Sequence, residues 1–227
     1  MHEPSALREI VVDTETTGLS PAAGHRVIEI GCLELVNHVP TGSVFHQYLC
    51  PERDVPTEAV QIHGLTDEFL ASMPLFWAVA ESFLEFVAGD RLIIHNAEFD
   101  LGFLNAELRL IERADLENDV VDTLALARRK YPGGQASLNA LCRRFNIDNS
   151  ARTKHGALLD AELLAEVYLE LIGGRQPGLK LEIRASAETL NNEPPAVRPA
   201  RRHVPTPDEL SAHEAFLDSI EKPIWRR

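Results

Sequence analysis

Short apolar runs that break off at a polar residue constrain this chain more than any other feature. RLIIHN (91–96) is such a run, and a helical stretch from about Asp100 to Glu112 follows it. DVVDT (119–123) repeats the pattern, with helical spacing near 123–130 and 137–145 after it. Short apolar runs of this kind read as buried strands, and strands alternating with helices build a sheet covered on both faces. Upstream the chain reads differently. EIVVDTET, a Gly/Ser/Pro/Ala-rich turn (18–24) and HRVIEIGCLELV form a hairpin, and the turn NHVPTG (37–42) leads to a third strand, SVFHQYLC. Short connections make these three strands antiparallel neighbours. LFWAVAESFLEFVAG (75–89) has helical spacing and ends on Gly89, a residue suited to the position just past a helix. The last clear helix runs from about Ala157 to Ile172 and stops at Gly173-Gly174. The expectation is an α/β domain whose mixed sheet combines an antiparallel meander with parallel strands, flanked by helices.

That domain is expected to occupy residues 1–174, where the periodicity ends. Seven of the fourteen prolines lie beyond residue 174, so 175–204 reads as a flexible linker. PDELSAHEAFLDSIEKPIW then spaces Leu210, Phe216, Leu217 and Ile220 as in a short amphipathic helix. A lone amphipathic helix has no core of its own, so 205–227 reads as a docking segment. No 18-residue apolar run is present, and MHEPSALREI lacks a basic start and a long apolar core. Neither a membrane span nor a signal peptide is therefore expected. Cys32, Cys50 and Cys142, odd in number and scattered, point to reduced thiols in a cytoplasmic protein without structural zinc. The charge is uneven: residues 1–174 hold 27 acidic and 13 basic residues, a net of −14, while 175–227 net +1. Such a domain repels a polyanion unless bound divalent cations reverse the local sign.

IVVDTET puts Asp13 and Glu15 at the end of the first strand. Strand residues two apart face the same side, so both carboxylates aim at one spot. Two anions there repel unless a cation sits between them or one is protonated; the plainer alternative is a solvated strand end. IIHNAEFD repeats the design with Asp100 at a helix opening, and KHGALLD places His155 and Asp160 at the start of another. Five residues apart on a helix would leave these two roughly 140° apart. They converge only if His155 lies in the preceding loop and folds back. A loop His beside a helix-borne Asp suits a base acting on water, whereas a loop His and a surface Asp without chemistry is the bland alternative. Together, Asp13, Glu15, Asp100 and Asp160 form an all-carboxylate set, which suits hard cations such as Mg²⁺ or Mn²⁺. Two such ions roughly 3.5–4 Å apart can clamp the attacking and leaving oxygens of a phosphodiester. Histidine, with an unperturbed pKa of about 6.5, suits the base.

"DTETTG", "HNAEFD" and "HGALLD", in this order and spacing, resemble the three motifs of the DEDDh 3′→5′ exonucleases, which have a ribonuclease H-like fold. The resemblance covers about residues 8–173. It implies that Asp13, Glu15, Asp100 and Asp160 bind two Mg²⁺ or Mn²⁺ ions, and that His155 is the general base. VPTEAVQIHGLTDE (55–68) also resembles the family, and there Glu58 and His63 would contact the terminal nucleotide of a single-stranded DNA 3′ end. Asp13, Glu15 and Asp160 would meet the same substrate. Within the family, SLNALCRRFNIDNSARTKHGALLDAELLAEVYL and the tail DELSAHEAFLDSIEKPIW resemble members that proofread for a bacterial replicative polymerase. The tail would bind the polymerising (alpha) subunit, and QPGLKL (176–181) looks like a sliding-clamp peptide that lacks the usual aromatic end. Other core subunits are compatible with this reading. Two readings compete with it: a same-fold ribonuclease trimming RNA 3′ ends, and a non-catalytic adaptor. The tail argues against the first, and the complete set of five residue types against the second.

Overall fold

The computed structural model describes residues 6–152, 154–173 and 205–220; the linker expected at 175–204, with QPGLKL inside it, lies outside them. β1 (Arg8–Thr16), β2 (Val27–Val36) and β3 (Val39–Tyr48) form an antiparallel meander. The chain continues through α1 (Thr57–His63), α2 (Asp67–Leu70) and α3 (Phe76–Val87) into β4 (Arg91–Ile94). Then follow α4 (Ala97–Leu110), β5 (Val120–Asp122), α5 (Thr123–Lys130), α6 (Leu138–Phe145) and α7 (Ala157–Ile172). The strand order β3-β2-β1-β4-β5 puts β1 at the centre, antiparallel to β2 and parallel to β4, with β5 parallel to β4. The expected mixed sheet is what forms.

Strand alternation divides the core into two layers. Ile10, Val12, Ile30, Cys32, Leu92 and Ile94 face α3 and α4, where they pack on Phe76, Phe83, Phe103 and Leu104. Val11, Leu33, Leu35 and Ile93 face the other way, onto Ala127, Leu141, Leu164, Val167 and Leu171 of α5–α7. A buried ion pair pins α4 to the sheet: Glu107 takes Arg26 on both oxygens, at 2.7 and 2.8 Å, and the Val27 amide at 3.1 Å. Losing one partner of such a pair strands a buried charge.

Three local expectations are corrected. The turn after β2 is only Asn37-His38, with φ of 51° and 66°, so the chain re-enters the sheet at Val39 instead of Ser43. Asn tolerates this left-handed geometry, and two such residues make the tight hairpin turn that matches strand twist. Pro40 is accommodated because β3 is an edge strand. Helix α3 ends with its positive φ on Ala88 (43°), not on Gly89. Helix α4 begins at Ala97, three residues earlier than the periodicity suggested, with Asn96 (φ 69°) at its N-cap. In the C-terminal segment, α8 (Pro207–Asp218) opens with a reciprocal capping box. The Glu209 amide donates to the Thr206 hydroxyl at 3.3 Å, and the Thr206 amide donates to the Glu209 carboxylate at 2.8 Å. Pro207 sits where a helix needs no amide donor. The helix leaves Leu210 and Phe216 exposed.

Gly31 sets how closely α7 approaches the sheet. A Cβ there would lie 2.3 Å from the backbone of Ala157 and Leu158, the first turn of α7. Gly31→Ala should therefore cost about 1–3 kcal/mol, the usual range for overpacking, measured as a lower urea midpoint at constant slope. An unchanged midpoint would show that α7 does not depend on this gap.

Candidate active site

The C-terminal ends of β1 and β4 lie side by side at the point where the antiparallel and parallel parts of the sheet meet, the place where open α/β sheets gather their ligands. A cleft of about 320 Å³ opens there, and Asp13, Glu15, Asp100, His155 and Asp160 all line it. A strand end, two helix openings and a loop deliver them. Asp13 and Glu15 continue the face of Val11, toward α7. Asp13 sits opposite Gly31 in register, so the missing side chain leaves room for the start of α7 beside it. Thr14 points the other way and ties in α4: its amide and hydroxyl donate to Asp100 Oδ1 at 3.0 and 2.7 Å. Asp100 and Asp160 both lie in first helical turns, where the helix dipole favours an anion. His155 precedes α7, whose N-cap is Gly156, and its amide donates to the Ile62 carbonyl at the end of α1 (3.2 Å). Its Nδ1 lies 3.4 Å from Asp160 Oδ2. The loop placement that convergence required is the one adopted.

These carboxylates are buried together and repel. Burial pushes Glu15 up to about 8, with Asp160 and Glu29 adding to the effect. Burial likewise raises Asp100 to about 7, against the hydrogen bonds from Thr14. Asp13 is raised well above the carboxylate range by burial and by Asp100, Asp160 and Glu15. Asp160 differs. Burial opposes its ionisation, but the Arg152 guanidinium holds it below its ordinary value, through Nε on Oδ1 and Nη2 on Oδ2 (2.5 Å). The donor set fits a hard divalent cation: it is all oxygen apart from one imidazole, it carries excess negative charge, and ligand atoms of Glu15, His155 and Asp160 lie within 4.8 Å of one another.

Neither Glu58 nor His63, the two substrate-contact candidates, lines the cleft, and they differ in burial. Glu58 is exposed on the first turn of α1 and does not line the cleft. His63, at the end of α1, is 6% exposed. Its Nδ1 accepts from the Leu65 amide at 3.0 Å, and its buried Nε2 has no hydrogen-bond partner among the described residues. Burial, with Lys154 and His155 nearby, lowers it to about 4. Two residues escaped sequence reasoning. Arg152 has no distinguishing pattern around it. Glu29, buried opposite Glu15 and receiving His46 Nε2 at 2.7 Å, showed only as an acid inside an apolar run.

Residues 10–168 match the exonuclease family of the RNase T type. The fold is shared with the nuclease domain of 3′hExo, a DEDDh family member bound to rAMP (TM-score 0.65, 18% identity, 75% of this chain and 94% of that one). It is also shared with exonuclease X in complex with 5′ overhanging duplex DNA (TM-score 0.59, 22% identity, 72% and 90%). The family match over residues 10–168 thus defines the class as a nuclease. Full-length relatives narrow the class. The DNA polymerase III subunit epsilon of Rickettsia felis is 51% identical over 96% of this chain and 99% of its own. That of Escherichia coli K12 is 44% identical over 96% and 97%. The chain belongs to the DEDDh exonucleases, in the branch of the DNA polymerase III epsilon subunits.

Glu15 and Asp100 are raised in the folded state from ordinary values of 4.5 and 3.8. Their stabilisation is therefore full below about pH 4 and lost as pH rises through about 7 to 8. The melting temperature of chelator-treated protein should fall across that window. Added Mg²⁺ should raise it more at pH 8.5 than at pH 6, because protons and cations compete for the same oxygens. A pH-independent Mg²⁺ effect in thermal melts would contradict the assignment.

Proposed function

We propose that this chain is the 3′→5′ exodeoxyribonuclease that proofreads for a bacterial replicative polymerase, removing mismatched 3′-terminal deoxynucleotides by two-metal hydrolysis with His155 as general base. The observation that carries the reading is the convergence of Asp13, Glu15, Asp100, Asp160 and His155 on one cleft at the end of the central strand. Asp13, Glu15, Asp100 and Asp160 would hold two Mg²⁺ or Mn²⁺ ions. When bound, these supply Lewis acidity at the water nucleophile and at the leaving 3′ oxygen. His155 takes the proton from water; its side chain is 46% exposed, so the proton can pass on to solvent. His63 is neutral near pH 7 and keeps its proton on Nε2, because Nδ1 is an acceptor. This buried donor, without a partner among the described residues and outside the cleft lining, would meet an oxygen of the terminal nucleotide where the substrate extends beyond the cleft. Glu58, from the exposed face of α1, would reach the substrate only from outside the cleft.

The C-terminal segment fits the same function. The similarity to the epsilon subunits runs nearly the full length of the chain, and α8 is a capped helix with exposed Leu210 and Phe216. It would anchor the nuclease to the polymerase III alpha subunit, and QPGLKL would touch the sliding clamp. Other core subunits are compatible with the assembly. Among the described residues no helix is long and apolar enough to cross a membrane, and a replicative role implies the cytoplasm.

A 5′-labelled single-stranded DNA oligonucleotide should shorten stepwise from its 3′ end. It should do so faster than the RNA of the same sequence, and not at all after chelation. His155→Ala should cost roughly 10²- to 10⁴-fold in turnover, the range for general-base catalysis, and Asp13→Ala at least as much. Full activity in either variant, or a preference for RNA, would overturn the proposal. Removing residues 205–227 should abolish co-purification with the alpha subunit while leaving oligonucleotide hydrolysis intact.

A further inference from the structure

Arg152 stands in the cleft as a cation in its own right. Its side chain is only 7% exposed. Nε and Nη2 form a fork on the two oxygens of Asp160, and Nη2 also donates to Nδ1 of His155 at 2.8 Å. A guanidinium can only donate, so each contact occupies an acceptor. Both Asp160 oxygens are engaged. A neutral imidazole has a single acceptor nitrogen, and on His155 that nitrogen is already bonded. While Arg152 holds this position, His155 has no free lone pair for a proton taken from water, and the Asp160 oxygens face a positive group.

The guanidinium and a divalent cation are therefore rivals for Asp160. They carry the same sign and want the same oxygens. The position of Arg152 permits an exchange. It lies in the loop between α6 and α7, where its amide closes a turn onto the Asn149 carbonyl at 3.0 Å. The side chain can leave Asp160 without disturbing the first turn of α7 or the strand that carries Asp13 and Glu15.

We infer that Arg152 is a resting-state counter-ion, displaced from Asp160 when a divalent cation binds, and that its departure releases His155 in the same event. The cleft then carries its own interlock: the base becomes competent only when the cation is in place. This rests on the reading of Asp160 as a metal ligand. It adds that the apparent metal affinity is lowered by the fraction of molecules in which Arg152 is docked. If nine in ten are docked, the penalty is roughly tenfold.

The test uses the full-length ¹⁵N-labelled protein. The Arg152 Nε–H signal, identified by its loss in Arg152→Lys, should be sharp and slow to exchange without metal. It should shift or vanish as MgCl₂ is added, in step with the calorimetric binding isotherm. Arg152→Ala should bind Mg²⁺ roughly tenfold tighter than the unaltered chain. If that variant does not fold, Arg152→Lys should still bind tighter, because a lysine makes a point contact where arginine makes a fork. A flat isotherm for the unaltered protein would overturn both the metal reading and this one. Mg²⁺ binding that leaves the Arg152 signal unchanged would overturn the displacement alone.

Discussion

Repulsion among carboxylates buried at one strand end is the constraint on which the rest of this structure depends. Asp13, Glu15, Asp100 and Asp160 are brought together from three separate backbone segments, β1, α4 and α7, so the fold itself supplies the work of assembling them. Isolated buried anions would be intolerable, and each is relieved in its own way. Asp100 accepts two hydrogen bonds from Thr14. Asp160 has the Arg152 fork. Among the described residues Asp13 and Glu15 have no such partner, and burial together with neighbouring acids drives them toward the protonated form. A site that stores this much unfavourable electrostatics is poised to take up positive charge, and perturbed acids clustered in a cleft are a mark of function.

The scaffold makes that assembly rigid. β1 is central: Glu9 to Val11 pair with both β2 and β4, and Asp13 and Glu15 continue from that anchored stretch along β2. The two helices that contribute acids are each tied to the strand region at close range. α4 is held by Glu107 on Arg26 and by Thr14 on Asp100. α7 is held by the space that Gly31 leaves beneath Ala157 and Leu158. A shift of either helix would separate ligands that must lie within a few ångströms of one another, so packing far from the chemistry decides whether the site exists.

How much of this was legible in the sequence follows from the range of each interaction. The shared face of Asp13 and Glu15 needs only the two-residue period of a strand, and the helix openings at Asp100 and Asp160 need only local spacing. The loop placement of His155 was legible as the condition for its convergence with Asp160, although the spacing alone left a surface Asp without chemistry open as well. Arg152 was not legible, because its partner is set by the path of the 146–156 connection and not by periodicity. Glu29 became part of the site only through the register that sets it opposite Glu15. The same limit explains the hairpin. Pro40 and Gly42 suggested a longer turn, yet an edge strand tolerates both, and Asn37-His38 closes the turn alone. Glu58 was placed at the substrate by resemblance, and its exposed position on α1 lies outside the cleft. A motif carries a residue type to a position, whereas its reach depends on how the helix that bears it is seated.

The acidity of the domain is then a consequence of this arrangement and not an obstacle to it. A surface rich in Lys and Arg would hold a polyanion anywhere along its length, because phosphate contacts are independent of sequence. A net −14 domain repels a phosphodiester everywhere except where divalent cations invert the sign. If the cleft takes up cations as proposed, substrate and cation must favour each other's binding by equal free energies, since such coupling is reciprocal. Arg152 fits this scheme as a weaker, tethered substitute that neutralises Asp160 in the interval. Its single charge, already paired to a carboxylate, would do little to attract a phosphate, so under the proposed reading the cleft would stay closed to substrate until the stronger cations arrive. Affinity for the nucleic acid would thereby be confined to the one place, and the one charge state, in which hydrolysis can follow.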